Sequence, residues 1–133
     1  MNGSALVGKR ILVAEDDYLV ALDLVDQLRS LGAEVIGPFH DVASARSILP
    51  SKRPDIAVLD VKLGADLVYP LADMLVEAGV PFVFTTGFDA SALPVRYASR
   101  PRMMKPITAR HLQAVLSAVL AGQATPSNNQ PGR

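Results

Sequence analysis

The fold of this chain is decided by the stretch Asp55-Ile56-Ala57-Val58-Leu59-Asp60-Val61. It is an apolar run between Pro54 and Gly64 that is too short for a typical helix, and it predicts a parallel strand buried on both faces. Asp60 falls at the carboxyl end of this strand, where open α/β sheets place their ligands. A carboxylate there is either a nucleophile or a residue that ends the strand in a turn, and the stretch alone favours the turn.

Strand and helix patterns alternate on both sides of this stretch. Apolar runs predict four more strands, at residues 9–14, 34–38, 80–86 and 102–104. Apolar side chains at helical spacing predict helices at residues 18–31, 41–49, 67–78 and after Thr108, with a short or irregular helix at 90–100 and a loop at 61–64. Five strand–helix units joined by right-handed crossovers predict an α/β fold with a doubly wound, five-stranded parallel sheet.

Composition narrows the class of protein. The chain has 133 residues, enough for one domain, and its 13 basic residues balance its 13 acidic residues, which gives no basic footprint for nucleic acid. It has no cysteine, no signal-peptide pattern and no apolar run long enough to cross a membrane, so we expect a cytoplasmic protein. We expect residues 1–8 to form a loose leader, 9–121 the domain and 122–133 a disordered tail.

Polar side chains follow the ends of the predicted strands. Glu15 and Asp16 follow the first strand, Asp60 ends the third, Thr86 ends the fourth and Lys105 follows the fifth. The carboxyl ends of parallel strands share one rim of the sheet, so these side chains should meet. Three crowded carboxylates would raise one another's pKa values, and a hard divalent cation such as Mg²⁺ would relieve that repulsion.

The same rim could bind a phosphoryl group. Mg²⁺ and Lys105 would neutralise its charge, Thr86 would donate a hydrogen bond, and Asp60 is central enough to attack it as a nucleophile. Taken singly, each residue has an ordinary explanation: threonine is common in strands, and lysine is usually a solvated charge. The combination across separate strands favours the functional interpretation.

Four motifs in order resemble the receiver domain of bacterial two-component response regulators. They are Ile11-Leu12-Val13-Ala14-Glu15-Asp16-Asp17, Asp55-Ile56-Ala57-Val58-Leu59-Asp60, Pro81-Phe82-Val83-Phe84-Thr85-Thr86-Gly87 and Met104-Lys105-Pro106. The resemblance covers about residues 9–121 and implies the flavodoxin-like arrangement of five βα units. The segment Phe84-Thr85-Thr86-Gly87-Phe88 further resembles a group of alphaproteobacterial single-domain receivers that carry Phe-Ala-Thr-Gly-Tyr there.

The resemblance implies a role for each site residue. Asp60 would be the phosphoacceptor and would also contact Mg²⁺. Asp16 would bind the metal directly, with Glu15 assisting, and the main-chain carbonyl of Lys62 would complete the metal site. Two further residues, Thr86 and Lys105, would sense the phosphoryl group, with a cis peptide bond between Lys105 and Pro106.

Some residues depart from the family pattern. Glu15 stands where aspartate is more usual, and the loop after Asp60 lacks the common Met-Pro pair. Arg102 stands where many receivers carry an aromatic switch residue, which puts the usual coupling between that residue and Thr86 in doubt.

The resemblance implies a stand-alone receiver that takes a phosphoryl group from a histidine kinase or a phosphotransfer protein. It would act on an unknown downstream protein, or serve as a relay or phosphate sink, and residues 90–102 could support a homodimer. The resemblance implies no conventional enzyme activity, although such a receiver would catalyse its own Mg²⁺-dependent phosphorylation and dephosphorylation. Two alternatives stay open: a degenerate receiver used as a binding module, and a phosphohydrolase, which is disfavoured because Lys62 stands where a second acid is needed.

Overall fold

The computed structural model describes residues 5–87 and 93–122, in which strands and helices alternate along the chain. The strands are β1 (Arg10–Ala14), β2 (Glu34–Phe39), β3 (Ile56–Asp60), β4 (Lys62–Leu63), β5 (Asp66–Leu67), β6 (Phe82–Thr86) and β7 (Arg102–Met104). The helices are α1 (Tyr18–Ser30), α2 (Val42–Ile48), α3 (Tyr69–Ala78) and α4 (Ala109–Leu120), with a 3₁₀ turn at Val95–Tyr97.

The main sheet of the described region has five parallel strands in the order β2-β1-β3-β6-β7. Its central strand is β3, and all five of its residues are buried because the apolar cores on the two faces of the sheet both cover it. The register places Asp60 beside Thr85 of β6, at the carboxyl edge of the sheet. The predicted doubly wound parallel sheet and its buried central strand are confirmed.

The helices begin at the residues that their sequence signals indicate. Asp17 accepts hydrogen bonds from the amides of Leu19 and Val20, and Asp41 and Thr108 cap α2 and α4 in the same manner. The third helix starts at Tyr69, two residues later than predicted, because the preceding residues form β5. A proline in its first turn suits this start, since that turn needs no amide donor at this position.

The prediction of a loop at residues 61–64 was wrong. Lys62 pairs with Leu67 and Leu63 pairs with Asp66, so β4 and β5 form a small antiparallel hairpin. Leu63 anchors the hairpin in the core, where it is 1% exposed. Strands of two residues are too short to show an alternating pattern, so nothing in the sequence predicts them.

The segment before β7 is short and irregular, as predicted, although residues 88–92 lie outside the described part of the chain. Its described portion contains the 3₁₀ turn, which buries Tyr97 against Phe82 and Phe84. The hydroxyl of Tyr97 donates a hydrogen bond to Asp73 on α3. Arg96 donates to both oxygens of the same carboxylate, at 3.1 and 3.2 Å. One carboxylate on α3 therefore holds two consecutive residues of the turn.

The prediction that residues 1–8 form a loose leader was wrong for the part that the structure describes. Leu6 is fully buried in the core that also contains Ile11 and Leu28. The amide of Lys9 donates to the carbonyl of Leu6, and the amide of Gly8 donates to the carbonyl of Gly32. Disorder of the tail stays a prediction, because residues 123–133 lie outside the described ranges.

Replacing Leu6 with Ala should lower the free energy of unfolding by about 2–4 kcal/mol, because the change leaves a cavity in a packed core. The neighbouring Val7 has a side chain that is 60% exposed, so Val7→Ala is a control that should change stability by less than about 0.5 kcal/mol. Urea unfolding of both variants measures the difference. Equal stability of the two variants would show that the segment is not part of the cooperative fold.

Within residues 5–87 and 93–122, none of the helices combines the length and the apolar character that a membrane crossing requires.

Candidate functional site

The carboxyl edge of the sheet brings the predicted acidic residues together. Glu15 and Asp16 follow β1, and Asp60 ends the neighbouring strand β3. Oxygen atoms of these three carboxylates lie within 4.8 Å of one another. Glu15 and Asp60 are buried, whereas Asp16 is exposed. The positions of these residues explain the difference in burial. Glu15 directly follows the buried strand β1, whereas Asp16 and Asp17 lie in the exposed connection to α1.

Lys105 reaches the same cluster from the opposite side. Its Nζ lies 2.8 Å from Glu15 Oε1 and 3.0 Å from Asp60 Oδ2, so one ammonium pairs with two buried carboxylates. The amide of Lys105 donates to the carbonyl of Thr86, which fixes the start of the loop after β7. The peptide bond between Lys105 and Pro106 is cis, in agreement with the resemblance.

Burial and neighbouring charges shift the pKa values of Asp60 and Lys105. Burial and the nearby charge of Glu15 raise the pKa of Asp60 from 3.8 to about 7, against the opposing hydrogen bond and charge of Lys105. Burial alone would lower the pKa of Lys105. The hydrogen bonds and charges of Glu15 and Asp60 outweigh burial, so the pKa of Lys105 is raised above its usual value. When all three carboxylates are ionised, the cluster carries more negative charge than one ammonium neutralises.

This donor set fits a divalent cation. Carboxylate oxygens are the ligands that Mg²⁺ prefers, and the metal commonly uses one or two of them and keeps several waters. Asp16, Asp60 and Glu15 are the residues whose oxygens are close enough to share an ion. The expected contribution of the Lys62 main-chain carbonyl stays a prediction, although Lys62 does follow Asp60 closely, at the start of β4.

Thr86 ends β6 on the same edge and is 4% exposed. Among the described residues, its hydroxyl oxygen has no hydrogen-bond partner, although the atom is buried. A buried hydroxyl without a partner is costly unless a ligand or water satisfies it. The geometry is therefore compatible with a ligand that accepts a hydrogen bond from Thr86.

Three contacts of the acidic residues were not predicted from the sequence. The amide of Gly64 donates to Asp16 Oδ2 at 2.9 Å, and the amide of Asp17 donates to Glu15 Oε2 at 2.9 Å. His40 Nδ1 lies 2.8 Å from the main-chain oxygen of Glu15. Almost every residue has a backbone amide, so residue type does not predict which amide will donate to a carboxylate. The only signal in the sequence was the glycine at position 64, because glycine suits a tight turn.

The raised pKa of Asp60 makes stability depend on pH in metal-free buffer. The folded state binds a proton more tightly than the unfolded state, so the free energy of unfolding should fall as pH rises from about 4 to about 7. Solvent reaches part of the site, so we expect a loss on the order of 1–2 kcal/mol. The Asp60→Asn variant should lack this component and be the more stable protein above pH 7. Urea unfolding with EDTA at several pH values measures the stability of both proteins. If stability changed with pH in the same way in the wild-type protein and in Asp60→Asn, the raised pKa of Asp60 would be contradicted.

A parallel sheet with this strand order, two helical layers and an acidic carboxyl edge defines a flavodoxin-like α/β protein. Its sequence is 34% identical to SdrG from Sphingomonas melonis Fr1, whose solved structure matches with a TM-score of 0.76 over 85% of this chain and 97% of SdrG. It is 29% identical to the signal receiver domain of a modulated diguanylate cyclase from Desulfovibrio desulfuricans G20, with a TM-score of 0.74 over 86% and 95% of the two chains. The chain belongs to the family of response-regulator receiver domains, as its motifs predicted.

A curated relative extends this similarity. The chain is 31% identical over 124 residues to the phyllosphere-induced regulator PhyR from Methylorubrum extorquens. The matched stretch covers 88% of this chain and 45% of PhyR. The chain thus spans about half the length of the curated relatives that it matches first. The similarity to SdrG and PhyR agrees with the predicted alphaproteobacterial subgroup. No protein-family model matches the sequence.

Proposed function

We propose that this receiver accepts a phosphoryl group on Asp60 from the phosphohistidine of a histidine kinase or phosphotransfer protein, in a reaction that requires Mg²⁺. The observation that carries this proposal is the position of Asp60. Its carboxylate ends the central strand, lies within 4.8 Å of the Glu15 and Asp16 carboxylates, and contacts the Lys105 ammonium at 3.0 Å. A nucleophile with acidic neighbours and a fixed cation suits phosphoryl transfer.

The transfer is a displacement at phosphorus. A carboxylate oxygen of Asp60 attacks the phosphorus atom, the new P–O bond forms, and the P–N bond to the donor imidazole breaks. The imidazole keeps the electron pair and takes a proton from solvent, which leaves a neutral histidine and an aspartyl phosphate. Asp60 must be ionised to attack, and a bound Mg²⁺ would favour the ionised carboxylate by neutralising the surrounding negative charge.

When bound, Mg²⁺ would supply positive charge to the phosphoryl oxygens, and Asp16, Glu15 and Asp60 are the residues that would hold it. Lys105 already contacts Asp60 and would pair with a phosphoryl oxygen after transfer. Thr86 has a buried hydroxyl without a partner among the described residues and would donate a hydrogen bond to another phosphoryl oxygen. The Lys62 carbonyl would complete the metal site.

The wider role follows from the same proposal. We infer that the protein acts in the cytoplasm, where it signals through contact with a downstream protein or passes the phosphoryl group on as a relay or sink. SdrG, a relative with a solved BeF₃-activated conformation, shows that a receiver with 33% identity responds to this phosphoryl mimic. The same mimic therefore suits a test of this chain.

Beryllofluoride and Mg²⁺ together should raise the melting temperature of the protein by several degrees, because they bind the folded state and not the unfolded state. Neither component alone should give this effect. Asp60→Ala should remove the combined effect, and Asp26→Ala, an exposed change on α1, is the matched control that should retain it. A thermal-unfolding series measures all of these conditions.

The alternatives predict different results. A degenerate receiver that serves only as a binding module would show no combined effect of beryllofluoride and Mg²⁺ in the wild-type protein. A phosphohydrolase would turn over a generic phosphate ester steadily, which the proposed receiver would not do. Lys62 is exposed and occupies the position where that chemistry needs a second acid, so no described feature favours the hydrolase.

A further inference from the structure

The hairpin of β4 and β5 contacts the acidic cluster through its turn. The amide of Gly64 donates a hydrogen bond to Asp16 Oδ2 at 2.9 Å, across 48 residues of sequence. Among the described residues, this is the hydrogen bond that the Asp16 carboxylate accepts. Asp16 is otherwise an exposed side chain at the start of a loop, and within residues 5–87 and 93–122 no second hydrogen bond to its carboxylate fixes its orientation.

The conformation of Gly64 explains why glycine occupies this position. Its φ is +61°, in the left-handed region that residues with a side chain rarely adopt. A Cβ added to Gly64 would meet no atom within 4 Å, so the position does not demand glycine for lack of space. The requirement is conformational, because the positive φ allows the chain to turn tightly between β4 and β5.

The hairpin is rigid enough to hold this amide in place. Leu63, directly before Gly64, is 1% exposed in the core. The pairs Lys62 with Leu67 and Leu63 with Asp66 close the turn on both sides. The amide of Val68 also donates to the carbonyl of Val61 at 2.9 Å, which ties the end of the hairpin to its beginning.

We infer that Gly64 is a positioning residue for the metal site, an inference that rests on the proposed function. Its amide holds Oδ2 of Asp16 and leaves Oδ1 free to bind the cation. A carboxylate can accept several hydrogen bonds or ligand contacts at once, so the amide and a cation need not compete for the same oxygen. Partners of metal ligands that act in this manner commonly change metal affinity by about 10–100-fold when they are lost.

The test compares two glycines that share a positive φ but whose amides donate to different acceptors. Gly8 has a φ of +74°, has no atom within 4 Å of an added Cβ, and donates its amide to the carbonyl of Gly32 at 2.9 Å. It precedes β1, at the opposite end of the strand from the site. Gly64→Ala and Gly8→Ala should therefore introduce similar backbone strain.

Mg²⁺ titration of both variants, followed by NMR of the site amides, gives the main result. Gly64→Ala should weaken Mg²⁺ binding about tenfold, and Gly8→Ala should stay within twofold of the wild-type protein. An equal loss of Mg²⁺ affinity in both variants, or no loss in Gly64→Ala, would overturn the inference. The proposed function would still stand in that case, because the wild-type protein would bind Mg²⁺. Absence of Mg²⁺ binding in the wild-type protein would overturn both.

Hydrogen exchange of the Gly64 amide supplies a readout that needs no metal. In EDTA, exchange at Gly64 should become at least about tenfold faster in Asp16→Ala, because the acceptor of its hydrogen bond is gone, while exchange at the Gly8 amide should not change. Unchanged exchange at Gly64 in Asp16→Ala would contradict the contact on which the inference depends.

Discussion

Replacing Asp60 with Asn is expected to abolish uptake of a phosphoryl group from acetyl phosphate while the fold stays intact. The amide of asparagine has almost the same shape as the carboxylate but is not a nucleophile toward phosphorus. The change also removes a charge from a cluster of three carboxylates, two of which are buried, so it should not destabilise the metal-free protein. Intact-mass spectrometry after incubation with acetyl phosphate and Mg²⁺ measures the uptake.

The matched control for this experiment is Asp26→Asn, which changes an exposed aspartate on α1. It should be labelled to the same extent as the wild-type protein. Labelling of Asp60→Asn at the wild-type level would show that another residue accepts the phosphoryl group. The roles proposed for Lys105 and Thr86 would then lose their basis, because both are defined by their positions around Asp60.

Replacing Lys105 with Met should destabilise the metal-free protein by about 2–3 kcal/mol. The change leaves Glu15 and Asp60, which are 1% and 6% exposed, facing each other without a counter-charge. Loss of one partner from a fully buried ion pair typically costs about 3–5 kcal/mol. We expect less because the Lys105 side chain is 22% exposed, and because Asp60 can protonate. Urea unfolding at pH 7.5 in EDTA measures the loss.

Mg²⁺ should restore much of the stability that Lys105→Met loses, because the cation replaces the missing positive charge. The gain on adding Mg²⁺ should therefore be larger in this variant than in the wild-type protein. Lys52→Met is the control: Lys52 is an exposed lysine outside the site, and its change should alter stability by less than about 0.5 kcal/mol. Equal losses of unfolding free energy in the two variants would show that the ion pairs of Lys105 do not stabilise the fold more than an exposed lysine does.

The parts of the fold that the sequence predicts are those with long or repeated signals. The apolar run that ends at Asp60 is buried on both faces, as a central parallel strand must be. Because every strand of the sheet runs in the same direction, the residues that follow β1, β3, β6 and β7 are brought to one edge. The meeting of Glu15, Asp16, Asp60 and Lys105 could therefore be predicted without any knowledge of side-chain contacts.

The features that the sequence does not predict depend on short or backbone-mediated contacts. A single leucine, Leu6, gives no periodic signal, yet it fills the core beside β1. The β4–β5 hairpin has only two residues in each strand, and the contact that it makes with Asp16 comes from a backbone amide. The link between Tyr97 and Asp73 joins a turn to a helix through an exposed carboxylate, which sequence patterns treat as ordinary surface charge.

The most direct test of the account locates the phosphoryl group itself. The protein is incubated with acetyl phosphate, with and without Mg²⁺, and then treated with borohydride, which reduces an aspartyl phosphate to homoserine. Peptide mass spectrometry then identifies the converted residue. We predict conversion of Asp60 in the sample with Mg²⁺ and none without it. Conversion of a different aspartate, or conversion of Asp60 that does not depend on Mg²⁺, would contradict the account.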